Sequence, residues 1–151
     1  GAGNTEYISN ALYTATKVYN VTKENGTIIV VAPCTLGWGK EEVLLLEKDW
    51  YKSFPSEDLM RYSASEIAWK TQKRELDPAR NMNGPYGLRL TIEKRHVLIV
   101  SHTASAEKLK TYGVDHAINL TNALSKAYAK QGTEASIIVI PSDYKYVLKI
   151  E

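Results

Sequence analysis

Thr27-Ile28-Ile29-Val30-Val31-Ala32, entered through Asn25-Gly26 and closed by Pro33, is the stretch that decides the fold. Every side chain in it is apolar or β-branched, so neither face of an extended segment is suited to water. A strand with one wet face alternates apolar and polar residues. An unbroken apolar run of strand length is instead the habit of a strand covered on both faces, commonly in a parallel sheet between helices. The pattern returns at Val97-Leu98-Ile99-Val100, and again at Ala135-Ser136-Ile137-Ile138-Val139-Ile140, which Pro141 closes. Three doubly covered strands are therefore expected.

The segments between these runs read mostly as helix. From Tyr7 to Glu24, the residues Ile8, Leu12, Ala15, Val18 and Tyr19 recur at helical spacing, with Asn4 and Thr5 as caps and Asn25-Gly26 as the stop. A short helix is expected around Glu41 to Glu47, a loop from Asp49 to Glu57 with Pro55 as breaker, and a short helix capped by Ser56. Ser63 and Glu66 stand at capping-box spacing, which predicts a helix to Leu76 that turns Ile67, Ala68 and Thr71 inward and seats Trp69 in the core. Asn81 to Gly87 is rich in turn residues and is a candidate mobile loop, while Leu88 to Ile92 suits strand and helix equally. Ser105 caps a short helix through Tyr112, closed by Gly113. Asp115 to Leu120 reads as short and extended, and Thr121 to Lys130 as a helix ended by Gly132. Tyr144 to Ile150 is expected as an edge strand, its Lys145 and Lys149 discouraging further pairing. Strands alternating with helices predict the α/β class: a layered domain with a largely parallel central sheet flanked by helices.

Composition narrows the rest. The 151 residues suit one domain, 1–151, with residues 1–4 as a flexible lead. The 19 basic and 17 acidic side chains leave a net charge of +2, without the concentrated basic face of a nucleic-acid binder. A single cysteine, Cys34, excludes an internal disulfide, so a cytoplasmic protein is expected. No apolar run approaches a membrane span, so no membrane partner is expected.

In open α/β sheets ligands bind beyond the carboxyl ends of the strands. Cys34-Thr35-Leu36-Gly37-Trp38-Gly39-Lys40 follows the first strand and lies there. Its glycines would let backbone approach a ligand, yet Gly37-Trp38-Gly39 lacks the third glycine and the framing of a dinucleotide loop. A tight strand-to-helix turn explains it as well. Cys34 has no neighbouring base in sequence and reads as a structural thiol. His96, His102 and His116 show no metal-ligand spacing. Only His102, after the second strand, would share an edge with Cys34. The carboxylate pairs Glu41-Glu42 and Glu57-Asp58 suit helix starts better than acid–base catalysis.

Taken in order, several segments resemble one family. Asn25 to Gly39 resembles the glycine-threonine-strand-cysteine-glycine segment of the carboxy-terminal domain of the nickel-pincer lactate racemase family. Val97 to Ser101 is similar to that domain's second strand. Tyr112-Gly113-Val114 with Asn122-Ala123-Leu124 is similar to its next helices, and Ala135 to Pro141 to its closing strand. The resemblance implies a two-domain α/β enzyme. Its amino-terminal domain tethers the nickel-pincer nucleotide and supplies the catalytic histidines, and the carboxy-terminal domain closes over the substrate cleft. It thus implies no catalytic residue, no metal ligand and no cofactor in this chain, with an amino-terminal racemase-like domain, or self-association, as the partner. In the family a Gln and a Lys three positions apart in the first helix help to hold the hydroxy acid. Asn10 and Tyr13 stand at those positions; Asn10 can still donate to a carboxylate, but Tyr13 carries no fixed charge. The expected substrate-binding residues are Asn10, Tyr13, Gly37, Trp38, Gly39 and Lys40, serving a small hydroxy acid or related anion. The alternative is a stand-alone binding or oligomeric assembly module. A third reading, a small enzyme using Cys34 and His102, needs those two side chains in contact.

Overall fold

The computed structural model describes residues 6–37, 61–76 and 85–140. In chain order these form α1 (Ile8–Lys17), a 3-10 turn (Tyr19–Val21), β1 (Thr27–Val31), α2 (Ala64–Gln72), α3 (Pro85–Lys94), β2 (His96–Val100), α4 (Ala106–Thr111), β3 (Asp115–Ala117) and α5 (Leu120–Gln131). The strands make one parallel sheet in the order β1-β2-β3. Thr27 is in register with His96 and Val31 with Val100; Leu98 then pairs with Asp115 and Val100 with Ala117.

The two apolar faces of β1 and β2 are both covered. Ile28, Val30, Val97 and Ile99 pack with Ile8, Leu12 and Ala15 of α1, Leu88 of α3 and Leu109 of α4. Leu98 and Val100 point the other way and pack with Ala117, Ile29 and Ala123 of α5. Apart from Val31, which is exposed, the apolar residues of β1 and β2 are thus used on both sides, and the α/β layered class expected from β1 holds.

Helix ends follow local chemistry. At α2 the Ser63 hydroxyl accepts from the Glu66 amide at 3.2 Å and the Glu66 carboxylate accepts from the Ser63 amide at 2.7 Å, closing the capping box. Ser105 and Asn119 cap α4 and α5 through the amides of Lys108 and Asn122. Pro85 opens α3, where its missing N–H costs nothing. Gly132 follows α5 at φ 88, a left-handed conformation that an L-residue would strain to adopt.

Several expectations are corrected. The first helix stops at Lys17 instead of running to Glu24, giving way to the 3-10 turn. Thr14, Thr16 and Thr22 turn their hydroxyls back onto the carbonyls of Asn10, Tyr13 and Val18, a local bonding that weakens helices. The second ends at Gln72, short of Leu76, with Arg74 at φ 61 beyond it. Trp69 is 54% exposed, not core; it lies two positions from Ile67 and Thr71, which take the buried stripe. Leu88 to Ile92 is helix, and Pro85 to Gly87 are its first turn instead of loop. Ala135–Ile140 forms no ladder, and the third strand is Asp115–Ala117. Ile137, Ile138 and Val139 are instead exposed, because β-propensity acts only where a neighbouring strand is engaged. Asn4 and Thr5, the segments from Glu41 to Ser56, Asn81 to Gly84, and Tyr144 to Ile150 lie outside the described residues.

Candidate functional site at the carboxyl edge of the sheet

β1 delivers the chain to the carboxyl edge, where Pro33 and Cys34 begin a turn back toward α1. Cys34 takes φ 52 and Gly37 takes φ 69. A Cβ on Gly37 would meet nothing within 4 Å, so it is the backbone angle that calls for glycine there. The turn is tied to the start of α1: Leu36 N–H donates to Glu6 O at 2.9 Å, and Ile8 N–H donates to Gly37 O at 2.9 Å. Tyr7, the N-cap, offers no side-chain bond, so the Gly37 carbonyl does the capping.

The exits of β1 and β2 are locked to each other. Ser101 Oγ donates to Pro33 O at 2.9 Å and accepts from the amides of Thr103 and Ala104, both at 3.2 Å. Thr103 Oγ1 donates to the same Pro33 carbonyl at 2.7 Å. Cys34 is buried beneath this turn. Burial pushes its thiol above the ordinary range, and a hydrogen bond with Ser101 pulls it back in part. Its polar neighbour is thus Ser101; His102 is exposed. A buried, protonated thiol is a poor nucleophile, and the reading that paired Cys34 with His102 finds no support in this geometry.

The expected site residues divide as follows. Asn10, half-buried, lies in the first turn of α1, two residues past the Ile8–Gly37 contact. Tyr13 follows one turn on and is 38% exposed, with Lys17 Nζ 4.9 Å from its ring centroid. A cation therefore stands beside Tyr13 although position 13 itself carries none. Gly37 is joined to the same helix start, whereas Trp38, Gly39 and Lys40 lie outside the described residues. Sequence reasoning passed over Ser9, whose hydroxyl is buried without a hydrogen-bond partner among the described residues. A serine in a first turn looks like an ordinary capping residue, so only the packing singles it out. The first turn holds no acidic residue, and helix starts favour anions.

His96 and His116 are engaged elsewhere. His96 Nε2 lies 2.6 Å from Asp115 Oδ2, and Nδ1 lies 3.3 Å from Thr27 Oγ1, across the first residues of all three strands. His116 Nε2 donates to Ser101 O at 2.7 Å. Register brings Thr27 and His96 together as ladder partners, while Asp115, level with Leu98, reaches His96 from β3. An open depression lined by His96, Asp115, Lys126, Ala129 and Lys130 adjoins it, at the amino edge of the sheet and away from the usual ligand end. Among the described residues no three His, Cys, Asp or Glu side chains gather as a metal ion would need, and no helix is long and apolar enough to cross a membrane.

Fold and site together define a parallel α/β domain with its polar turn at the carboxyl edge. The lactate racemase C-terminal domain model matches residues 6–147, and the chain belongs to that family. A structure of the lactate racemase apoprotein from Thermoanaerobacterium thermosaccharolyticum is similar, with a TM-score of 0.51 and 19% identity over 85% of this chain. At that identity the likeness concerns the fold. The chain spans 28% of the length of that protein. No curated protein matches the chain.

Proposed function

We propose that this chain is the substrate-cleft domain of a lactate racemase-like protein. It holds a small hydroxy acid, or a related anion, against the first turn of α1 and the turn after β1. The observation that supports this most is the Ile8–Gly37 hydrogen bond of 2.9 Å, which joins both halves of the expected site at the carboxyl edge. Asn10 would donate to the carboxylate, the helix start and Lys17 would supply positive potential, and the Ser9 hydroxyl is a spare donor in the same turn. In this reading these groups orient the substrate and do not abstract a proton from carbon. Isomerase chemistry, with the nickel-pincer nucleotide, belongs in this reading to a partner domain on the amino-terminal side, in a cytoplasmic protein.

The competing reading is a stand-alone binding or assembly module. The exposure of Ile137, Ile138 and Val139 favours it, because a contiguous apolar surface is an association site. The intact mass of the protein in its source cells separates the two. The racemase-like reading predicts a mass more than twice the 16.9 kDa of this chain, and a mass of 16.9 kDa would favour the module.

A further inference from the structure

We infer that the amino edge of the sheet carries a second ligand site, for a phosphate group, either inorganic phosphate or a small phosphate monoester. The depression beside His96 and Asp115 has a volume of about 510 Å³, large enough for a small organic phosphate. A hollow of about 140 Å³ shares His96 and Lys130 with it and adds Arg95. The five residues of β1 separate this edge from the Cys34–Gly37 turn by about 15 Å. The inference therefore stands apart from the hydroxy-acid cleft.

The charges at this edge do not balance among the described residues. Its carboxylates already have partners: Asp115 Oδ2 lies 2.6 Å from His96 Nε2, Glu93 Oε1 3.0 Å from Arg89 Nε, and Glu24 Oε1 3.1 Å from Lys94 Nζ. Arg95, Lys126 and Lys130 have no carboxylate among the described residues. Arg95 donates to the backbone carbonyls of Thr22, Lys94 and Tyr19. Lys126 Nζ donates to the His116 carbonyl at 2.7 Å, which fixes the ammonium at the wall of the depression with N–H groups to spare. Lys130 has no partner among the described residues. Lys126 and Lys130 stand four positions apart on one face of α5, where like charges repel. The pull of a helix carboxyl end accounts for a lysine at 130, in the last turn, but fades by 126. An oxyanion between the two turns that repulsion into attraction, and the small Ala129 leaves room for the rest of the ligand. A phosphate dianion matches both ammonium groups and offers several acceptor oxygens, where a carboxylate carries a single charge. His96 serves only to hold Asp115, since Thr27 and Asp115 engage both of its ring nitrogens.

An NMR titration of the labelled chain with inorganic phosphate tests the site, with pH held constant and ionic strength matched by chloride. Saturable shifts are expected at Lys126, Lys130 and Arg95 and not at Asn10 or Gly37. Lys130→Gln should weaken binding about tenfold, the loss of one charge-assisted hydrogen bond. Asp115→Asn should tighten it about threefold by removing a like charge nearby. Lys110→Gln makes the same charge change at an exposed position of α4 and should leave binding as it was. Lys126 and Lys130 are exposed, so their variants keep the fold. A tighter response to glycerol phosphate than to inorganic phosphate assigns the monoester, and an equal response assigns the free ion. Shifts that never saturate would overturn the site. So would a Lys110→Gln variant that weakens binding as much as Lys130→Gln, because the response would then be diffuse screening.

Discussion

Ile8 and Gly37 are joined by a backbone hydrogen bond of 2.9 Å that caps α1 with a carbonyl from the turn after β1. A helix start and a strand exit, distant in sequence, thereby become one surface. Loosening either partner of that bond would separate the two halves of the proposed site.

Gly37 is expected to resist substitution for reasons of backbone and not of space. Its φ of 69 is accessible to glycine and costly to alanine, though nothing crowds the position. Gly37→Ala should cost about 1 kcal/mol by the penalty for left-handed backbone, read as a lowered midpoint in urea. It should also speed exchange at the Ile8 amide.

Ser101→Ala should be more damaging, because the hydroxyl serves Pro33, Thr103 and Ala104 at once. Leaving two turn amides unpaired costs about 1–3 kcal/mol, again measurable by urea unfolding. The same variant removes the group that lowers the Cys34 thiol, so titration of Cys34 should move further upward.

Cys34 should alkylate far more slowly in the folded chain than in urea, since it is buried and holds its proton. The thiol is raised on folding, so its contribution to stability is fully present below the unfolded value, about 8.5. It is lost as pH rises through the higher folded value. Urea midpoints should therefore fall on the alkaline side, and Cys34→Ser should flatten that fall.

At α2 the sign is opposite. The Ser63 amide, and then the Ser63 hydroxyl, hold the Glu66 carboxyl below its ordinary range. Its contribution is present above the ordinary glutamate value and is lost as pH falls through the lowered one. Ser63→Ala should cost about 1 kcal/mol, typical of a lost cap, and should return the Glu66 titration, followed by NMR, toward the ordinary range.

Ser9→Ala should behave unlike these. A buried hydroxyl without a partner among the described residues contributes little to the free chain, so the variant should be neutral or stabilised by about 0.5 kcal/mol through helix propensity. Its effect is expected on ligand affinity.

Legibility in the sequence followed the physics of each feature. The doubly apolar runs at β1 and β2, the Ser63–Glu66 box and the Ser105 cap are local signals, and the structure has them as read. Helix length was overread at Lys17 and at Gln72, where threonine back-bonding and a left-handed arginine end the helices without glycine or proline at the break. Trp69 was misplaced because its size argued for the core while its helical phase points it outward. The Thr27–His96–Asp115 network needs the sheet's pairing, and the burial of the Ser9 hydroxyl without a partner among the described residues needs packing, so neither is visible in spacing. Ala135–Ile140 has the composition of a strand but no ladder bonds, which composition alone does not reveal.

The most direct test is an NMR titration of the labelled chain with L-lactate, using acetate as the control for charge without the hydroxyl. The account predicts saturable shifts at Asn10, Tyr13 and Gly37 that lactate produces at lower concentration than acetate, and that weaken in Asn10→Ala and Ser9→Ala. Shifts confined to the His96–Asp115 edge, or equal for the two anions, would contradict a hydroxy-acid site at the carboxyl edge.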